Sequence, residues 1–163
     1  MKSHDDADFN ELVIGDLCDD LTYVSKHMRK WTYERLLASL DEVYEKYRPE
    51  VEGSPARERE LRRCVAFWRY HFAHEKGQVD DAERTLRELL EFEVEVDSNI
   101  DFLGSFGRLC LDQGDPARGL PYVEQGLSLA RTTTKDYVDR PVQITSLQEI
   151  IDLCHAALSR PKT

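Results

Sequence analysis

The chain has 163 residues and carries 22 Lys and Arg against 32 Asp and Glu, a formal net charge of −10. That length suits one domain able to bury a core without disulfide staples. The acidic balance excludes general nucleic-acid binding, which needs clustered Lys and Arg against phosphates, and no apolar run approaches the roughly 18 residues needed to span a bilayer.

The N-terminus, Met1-Lys2-Ser3-His4-Asp5-Asp6, is acidic where a secretion signal would be basic and then apolar, so the expected compartment is the cytoplasm. From Asp8 to Arg29, Phe9, Leu12, Val13, Leu17, Leu21 and Val24 form one helical stripe. A second helix is predicted from Tyr33 to Tyr47, with Leu36, Leu37, Leu40, Val43, Tyr44 and Tyr47 at three- and four-residue steps. It should end at Arg48-Pro49, because the residue before proline is pushed out of the helical region. Ser54-Pro55 reads as a cap followed by proline at the first helical position. The helix it opens sets Leu61, Val65, Trp68 and Phe72 on one face and stops at Gly77.

The next helix carries Val79, Ala82, Leu86, Leu89 and Leu90. Glu93-Val94-Glu95-Val96 alternates like a strand but has no partner strand, so it reads as a helix end or linker. Asp97-Ser98-Asn99 offers a cap for Ile100, Leu103, Phe106, Gly107 and Cys110. Asp115-Pro116 repeats the cap-plus-proline device before Leu120, Val123, Leu127 and Ala130, with Pro121 tolerated in the first turns. Thr132-Thr133-Thr134 marks a loop, and Pro141 opens a last helix with Leu147, Ile150, Ile151, Cys154 and Leu158 on one face.

Two stretches share a signature. Gly77-Gln78-Val79-Asp80-Asp81-Ala82 and Gly114-Asp115-Pro116-Ala117-Arg118-Gly119 each follow one amphipathic pattern and open another, and their glycines lie 37 residues apart. Self-similarity at that period points to stacked helical hairpins. With Leu103, Phe106-Gly107, Cys110, Gly119 and Val123 at the positions that want large, aromatic or small residues, the region resembles a tetratricopeptide repeat. Ala82 and Leu86 fit the same pattern in the preceding unit, whose first helix fits poorly; Arg131 stands where proline is usual. The resemblance implies an all-α fold in one domain over 1–163. It would be an α-α superhelix of about three antiparallel hairpins, near 8–48, 55–92 and 99–131, closed by a C-terminal capping helix near 141–159. Small residues at Ala82, Gly107 and Gly119 would let helices approach closely.

Chemistry-bearing motifs are sparse. His71-Phe72-Ala73-His74-Glu75 lacks the HExxH order of a zinc protease helix and reads as histidines near a helix C-terminus. Asp152-Leu153-Cys154-His155 is one element where a di-iron bundle needs two. There is no Gly-rich phosphate loop, and Gly104-Ser105-Phe106-Gly107 is one residue short of a nucleophile elbow. The isolated Cys18, Cys64, Cys110 and Cys154 form no CxxC pair and read as buried reduced thiols. Arg57, Arg59, Arg62, Arg63 and Arg69, interrupted by Glu58 and Glu60, read as a solvated helix face.

The remaining candidate is the concave surface that the resemblance implies, lined by the first helices of successive hairpins. On one helix it would present Arg63, Ala66, Tyr70, Ala73 and His74, and on another Asp101, Gly104, Arg108, Leu111 and Asp112. The candidate peptide-binding set is therefore Arg63, Tyr70, His74, Asp101, Arg108 and Asp112, with guanidinium groups to pin carboxylates. The expected function is noncatalytic: holding another protein or peptide, or a second copy of the chain, as adaptor, assembly factor or secretion-type chaperone. No cofactor, metal, nucleic acid or membrane is expected. The alternatives are a small acidic inhibitor or immunity protein on a basic partner, and a metal-dependent hydrolase built on His71, His74 and Glu75.

Overall fold

The computed structural model describes residues 13–92 and 95–161. Among them are seven α-helices and no strand: α1 Leu17–Ser25, α2 Tyr33–Val51, α3 Pro55–Glu75, α4 Val79–Glu91, α5 Val96–Asp112, α6 Pro116–Thr132 and α7 Arg140–Leu158. The all-α expectation is met. Packing divides the chain at Lys76/Gly77 into two compact units, one holding α1–α3 and the other α4–α7. The division falls inside the stretch 55–92 expected as the second hairpin.

In the first unit α2 lies against α3, and α1 packs on both. Leu17, Leu21 and Val24 of α1 meet Leu36, Leu40, Val43, Tyr47 and Val51 of α2 and Leu61, Val65 and Phe72 of α3 in one core. α1 is shorter than its stripe suggested: Gly15, at φ +36°, breaks the path before Leu17, and Val13 is exposed. Phe9 and Leu12 lie outside the described residues. α2 runs past Pro49 to Val51, where the sequence predicted a stop at Arg48. Two further residues of helix bury Val51 four positions after Tyr47, and Pro49 itself faces solvent. The α2 terminus is also tied down, since Arg57 donates to the Glu50 carbonyl at 3.0 Å.

In the second unit α5 is the hub, touching α4, α6 and α7, while α6 also packs on α7. α5 and α6 meet through glycines. A Cβ on Gly107 would fall 1.8 Å from Val123 Cγ2, and one on Gly119 would fall 2.8 Å from the Cys110 Cβ and 3.0 Å from the Gly107 backbone. Ile100, Val123, Leu127, Ala130, Leu147, Ile150, Ile151 and Cys154 form the core that α7 closes. Leu158, expected on that face, is exposed. α5 begins at Val96 rather than after the Asp97-Ser98-Asn99 triplet, which becomes its first turn.

The marker glycines occupy like corners. Gly77 has φ +67° and Gly114 φ +78°, each after a residue near φ −90°, ψ 5° (Lys76 at −92°, 5° and Gln113 at −87°, 3°). Gly53, at φ +84°, makes a third corner, and Gly53-Ser54-Pro55-Ala56 parallels Gly114-Asp115-Pro116-Ala117. Neither Ser54 nor Asp115 caps with its side chain. The side-chain cap among these helices is Thr32, whose hydroxyl accepts from the Arg35 amide at 3.2 Å.

Candidate binding groove

Between α5 and α7 the second unit holds an open groove of about 400 Å³. Ile100, Gly104, Leu147, Ile150 and Leu153 give it an apolar floor and wall; Asp101, Arg108, Gln143 and Glu149 give it polar edges. The groove exists because α7 seats a leucine over a glycine: a Cβ on Gly104 would meet Leu147 Cδ2 at 2.9 Å. Leu153 remains 46 % exposed at its mouth.

Its polar end is built around Gln143, a polar side chain only 9 % exposed. Gln143 Nε2 donates to the Asp97 carbonyl at 3.1 Å and to Asp101 Oδ1 at 2.5 Å. Both partners are acceptors, so the amide nitrogen must face them and Oε1 must face away. Gln143 Oε1 has no hydrogen-bond partner, and neither has Asp97 Oδ1 nor the Tyr137 hydroxyl. Burial, and then the nearby Asp97 and Asp101 carboxylates, raise the Tyr137 phenol above its usual value against the opposing pull of Arg140.

The six predicted site residues separate into two sets. Asp101 and Arg108 line this groove, and Asp112 joins it through its ion pair with Arg108, Oδ1 to Nε 3.2 Å. Arg63, Tyr70 and His74 belong to α3 in the first unit. Tyr70 corrects the expectation of an open face, being 1 % exposed, with Ala66 and Ala73 also buried. α3 thus buries a second row, Ala66–Tyr70–Ala73, beside the row of Leu61, Val65 and Phe72. His74 is half-buried with its ring 6.1 Å from that of Tyr70. Arg63 is engaged by Glu60 at 2.9 and 2.5 Å. Their hydrogen bond holds the Glu60 carboxyl below its usual range, and burial and Glu60 push the Cys64 thiol up to about 12.

Sequence reasoning missed two polar assemblies. In the first unit a groove of about 440 Å³ between α1 and α2 is lined by Asp20, Tyr23, Trp31, Arg35, Glu42 and Lys46, among others. His27 stacks on Trp31 at 4.2 Å, and the Arg35 guanidinium lies 3.9 Å from that indole centroid. Asp20 accepts from Lys46 at 2.6 Å and from the Tyr47 hydroxyl at 2.7 Å, which lowers its pKa. In the second unit α4 is tied to α6 by Glu83, which accepts from Arg118 at 2.5 Å, Tyr122 at 2.9 Å and Arg87 at 2.7 Å. The signal available was the spacing of Asp80, Glu83 and Arg87 on one face of α4, but their partners on α6 are more than thirty residues away.

Among the described residues no group of three or more His, Cys, Asp and Glu is arranged to hold a metal ion, His71, His74 and Glu75 included. The cysteine expectation of burial holds at Cys110 and Cys154, whereas Cys64 is half-buried and Cys18 is exposed. The arginines of α3 are less solvated than expected, since Arg57 reaches the Glu50 and Val13 carbonyls and Arg69 pairs with Asp41 at 3.1 Å. No described helix is long and apolar enough to cross a membrane. No protein-family model, curated protein or solved structure matches the chain significantly.

Proposed function

We propose that this chain is a noncatalytic protein- or peptide-binding module of the tetratricopeptide-like kind, serving as adaptor, assembly factor or secretion-type chaperone, and that the α5–α7 groove is its binding face. The observation that carries this reading is the groove itself: an apolar floor of Ile100, Leu147 and Ile150, an exposed Leu153 at the mouth, and polar groups along both edges. Such a surface matches a peptide that buries one or two apolar side chains and hydrogen-bonds at its flanks. Asp101 and Arg108 lie on the side of α5 that the repeat resemblance implies for ligand contact. One reading within the same class, an acidic inhibitor or immunity protein, is favoured by the net charge of −10. It requires affinity that falls steeply with salt.

Panning a random dodecapeptide display library on the purified chain tests the proposal. Peptides should enrich, and their binding should weaken roughly tenfold or more in Leu153→Asp, which places a charge at the apolar mouth. Enriched peptides indifferent to Leu153→Asp would move the site elsewhere. A library that yields no enrichment would remove the binding-module reading.

A further inference from the structure

We infer that the segment received by the α5–α7 groove presents a cationic side chain, arginine or lysine, to the Gln143–Asp101 end while an adjacent apolar side chain occupies the floor. This rests on the binding-module reading and gives it a partner chemistry opposite to the carboxylate pinning that Arg63 and Arg108 suggested in the sequence. Arg108 and Asp112 pair with each other, and Arg63 belongs to the other unit, held by Glu60.

Gln143 sets the polarity of this end of the groove. Its amide nitrogen is committed to the Asp97 carbonyl and the Asp101 carboxylate, so its carbonyl oxygen is fixed as an acceptor. That oxygen is buried and unpartnered, on a residue that lines the groove and is nine-tenths buried. A buried acceptor without a donor is costly, and a ligand bringing an N–H relieves the cost. In the lining beside it stand the Asp101 carboxylate and, along the wall, Glu149; of the nearby cations, Arg108 is paired with Asp112 and Arg140 donates to the Ala130 and Arg131 carbonyls. An occupant made only of acceptors, such as a carboxylate, would meet repulsion there. A neutral amide could satisfy Gln143 Oε1 but would leave the carboxylates without a counter-charge. A guanidinium or ammonium does both, and its methylene stem can lie along Ile100 and Ile150. The net charge of −10 adds long-range attraction for a basic segment.

The test uses three synthetic peptides, Ac-Leu-Arg-Leu-NH2, Ac-Leu-Gln-Leu-NH2 and Ac-Leu-Glu-Leu-NH2, titrated into the ¹⁵N-labelled full chain by NMR. The arginine peptide should shift the Gln143 side-chain amide and the backbone amides of Asp101 and Gly104, and bind roughly tenfold more tightly than the glutamine peptide. Asp101→Asn, which keeps an acceptor for Gln143 but removes the charge, should erase most of that difference; an arginine preference that survives in Asp101→Asn would overturn the inference. Equal binding of all three peptides in the groove would overturn the cationic inference and keep the groove as a binding site. Preference for the glutamate peptide would do the same and return the selecting role to Arg108. If none of the peptides moves a groove resonance, the inference and the binding-face reading fall together. Groove resonances that shift with protein concentration alone would assign the face to a second copy of this chain and overturn the inference.

Discussion

His71 shows how one side chain can couple this fold to pH. It sits half-buried on α3, with Phe67 at 4.5 Å and Trp68 and Tyr70 each at 5.8 Å between ring centroids. Burial first, and then the nearness of His74, holds its pKa below the usual histidine value. A depressed histidine pKa means that the unfolded chain takes up the proton more readily, so stability rises with pH across this window. Stability associated with His71 is complete above the unfolded value of about 6.5 and falls as pH drops toward the lower folded value. The urea midpoint followed by tryptophan fluorescence should therefore decrease between about pH 7.5 and about pH 5.5, and His71→Phe should flatten that decrease. An unaltered slope in His71→Phe would assign the effect to other groups. The sequence could place His71 near a helix end but not bury it, because helical periodicity allowed α3 only one inward stripe. Tyr70 was misplaced for the same reason: the second row, Ala66–Tyr70–Ala73, is mostly alanine, and alanine does not announce burial.

At the scale of elements, local signals were most legible at corners and helix faces. Gly77 and Gly114 were readable because a positive φ is cheap only for glycine, and the residues after them begin new amphipathic patterns. Gly53 shares the positive φ but follows Glu52 at φ −54°, ψ 129°, so its corner differs, and the legible signal there is the following Ser54-Pro55. The helix end at Arg48 was misread because the proline rule is local, whereas burial of Val51 and the Arg57 contact with the Glu50 carbonyl come from other elements. The small residues on α5 and α6 were legible in kind, and their geometry now fixes a sharper expectation. A methyl at Gly107 would collide with Val123, a stiff β-branched side chain with no exposed surface. Gly107→Ala should therefore lower stability by roughly 1–3 kcal/mol despite alanine's better helix propensity. Val123→Ala alone should also destabilise by leaving a void, yet the double variant should be less unstable than the two losses added. Thermal denaturation of the four proteins measures the coupling; strict additivity would mean that the two residues do not compete for space. Gly104 and Arg108 were legible as neighbours on one face of α5, but the seating of Leu147 over Gly104 and the role of Gln143 could not be foreseen. A glutamine near a helix start looks like surface until its partners Asp97 and Asp101, over forty residues earlier, are known.

At the scale of the molecule, the division at Lys76/Gly77 gives each part its own core, and the two tryptophans make this measurable. Trp31 and Trp68 both pack against the core of α1–α3, and the chain has no others. Tryptophan fluorescence therefore reports the first unit, whereas far-ultraviolet circular dichroism reports helices of both. A domain that melts as one body gives coincident curves from both probes; separate cores need not. Gly107→Ala lesions the second unit only, through contacts confined to α5 and α6. In that variant part of the dichroism should be lost at lower urea than in the unsubstituted chain, while the fluorescence midpoint stays in place. The reciprocal change, Leu40→Ala in the fully buried centre of the first core, should move the fluorescence midpoint and cost about 2–5 kcal/mol. Fluorescence and dichroism that shift together in both variants would show one cooperative body rather than two cores that melt separately.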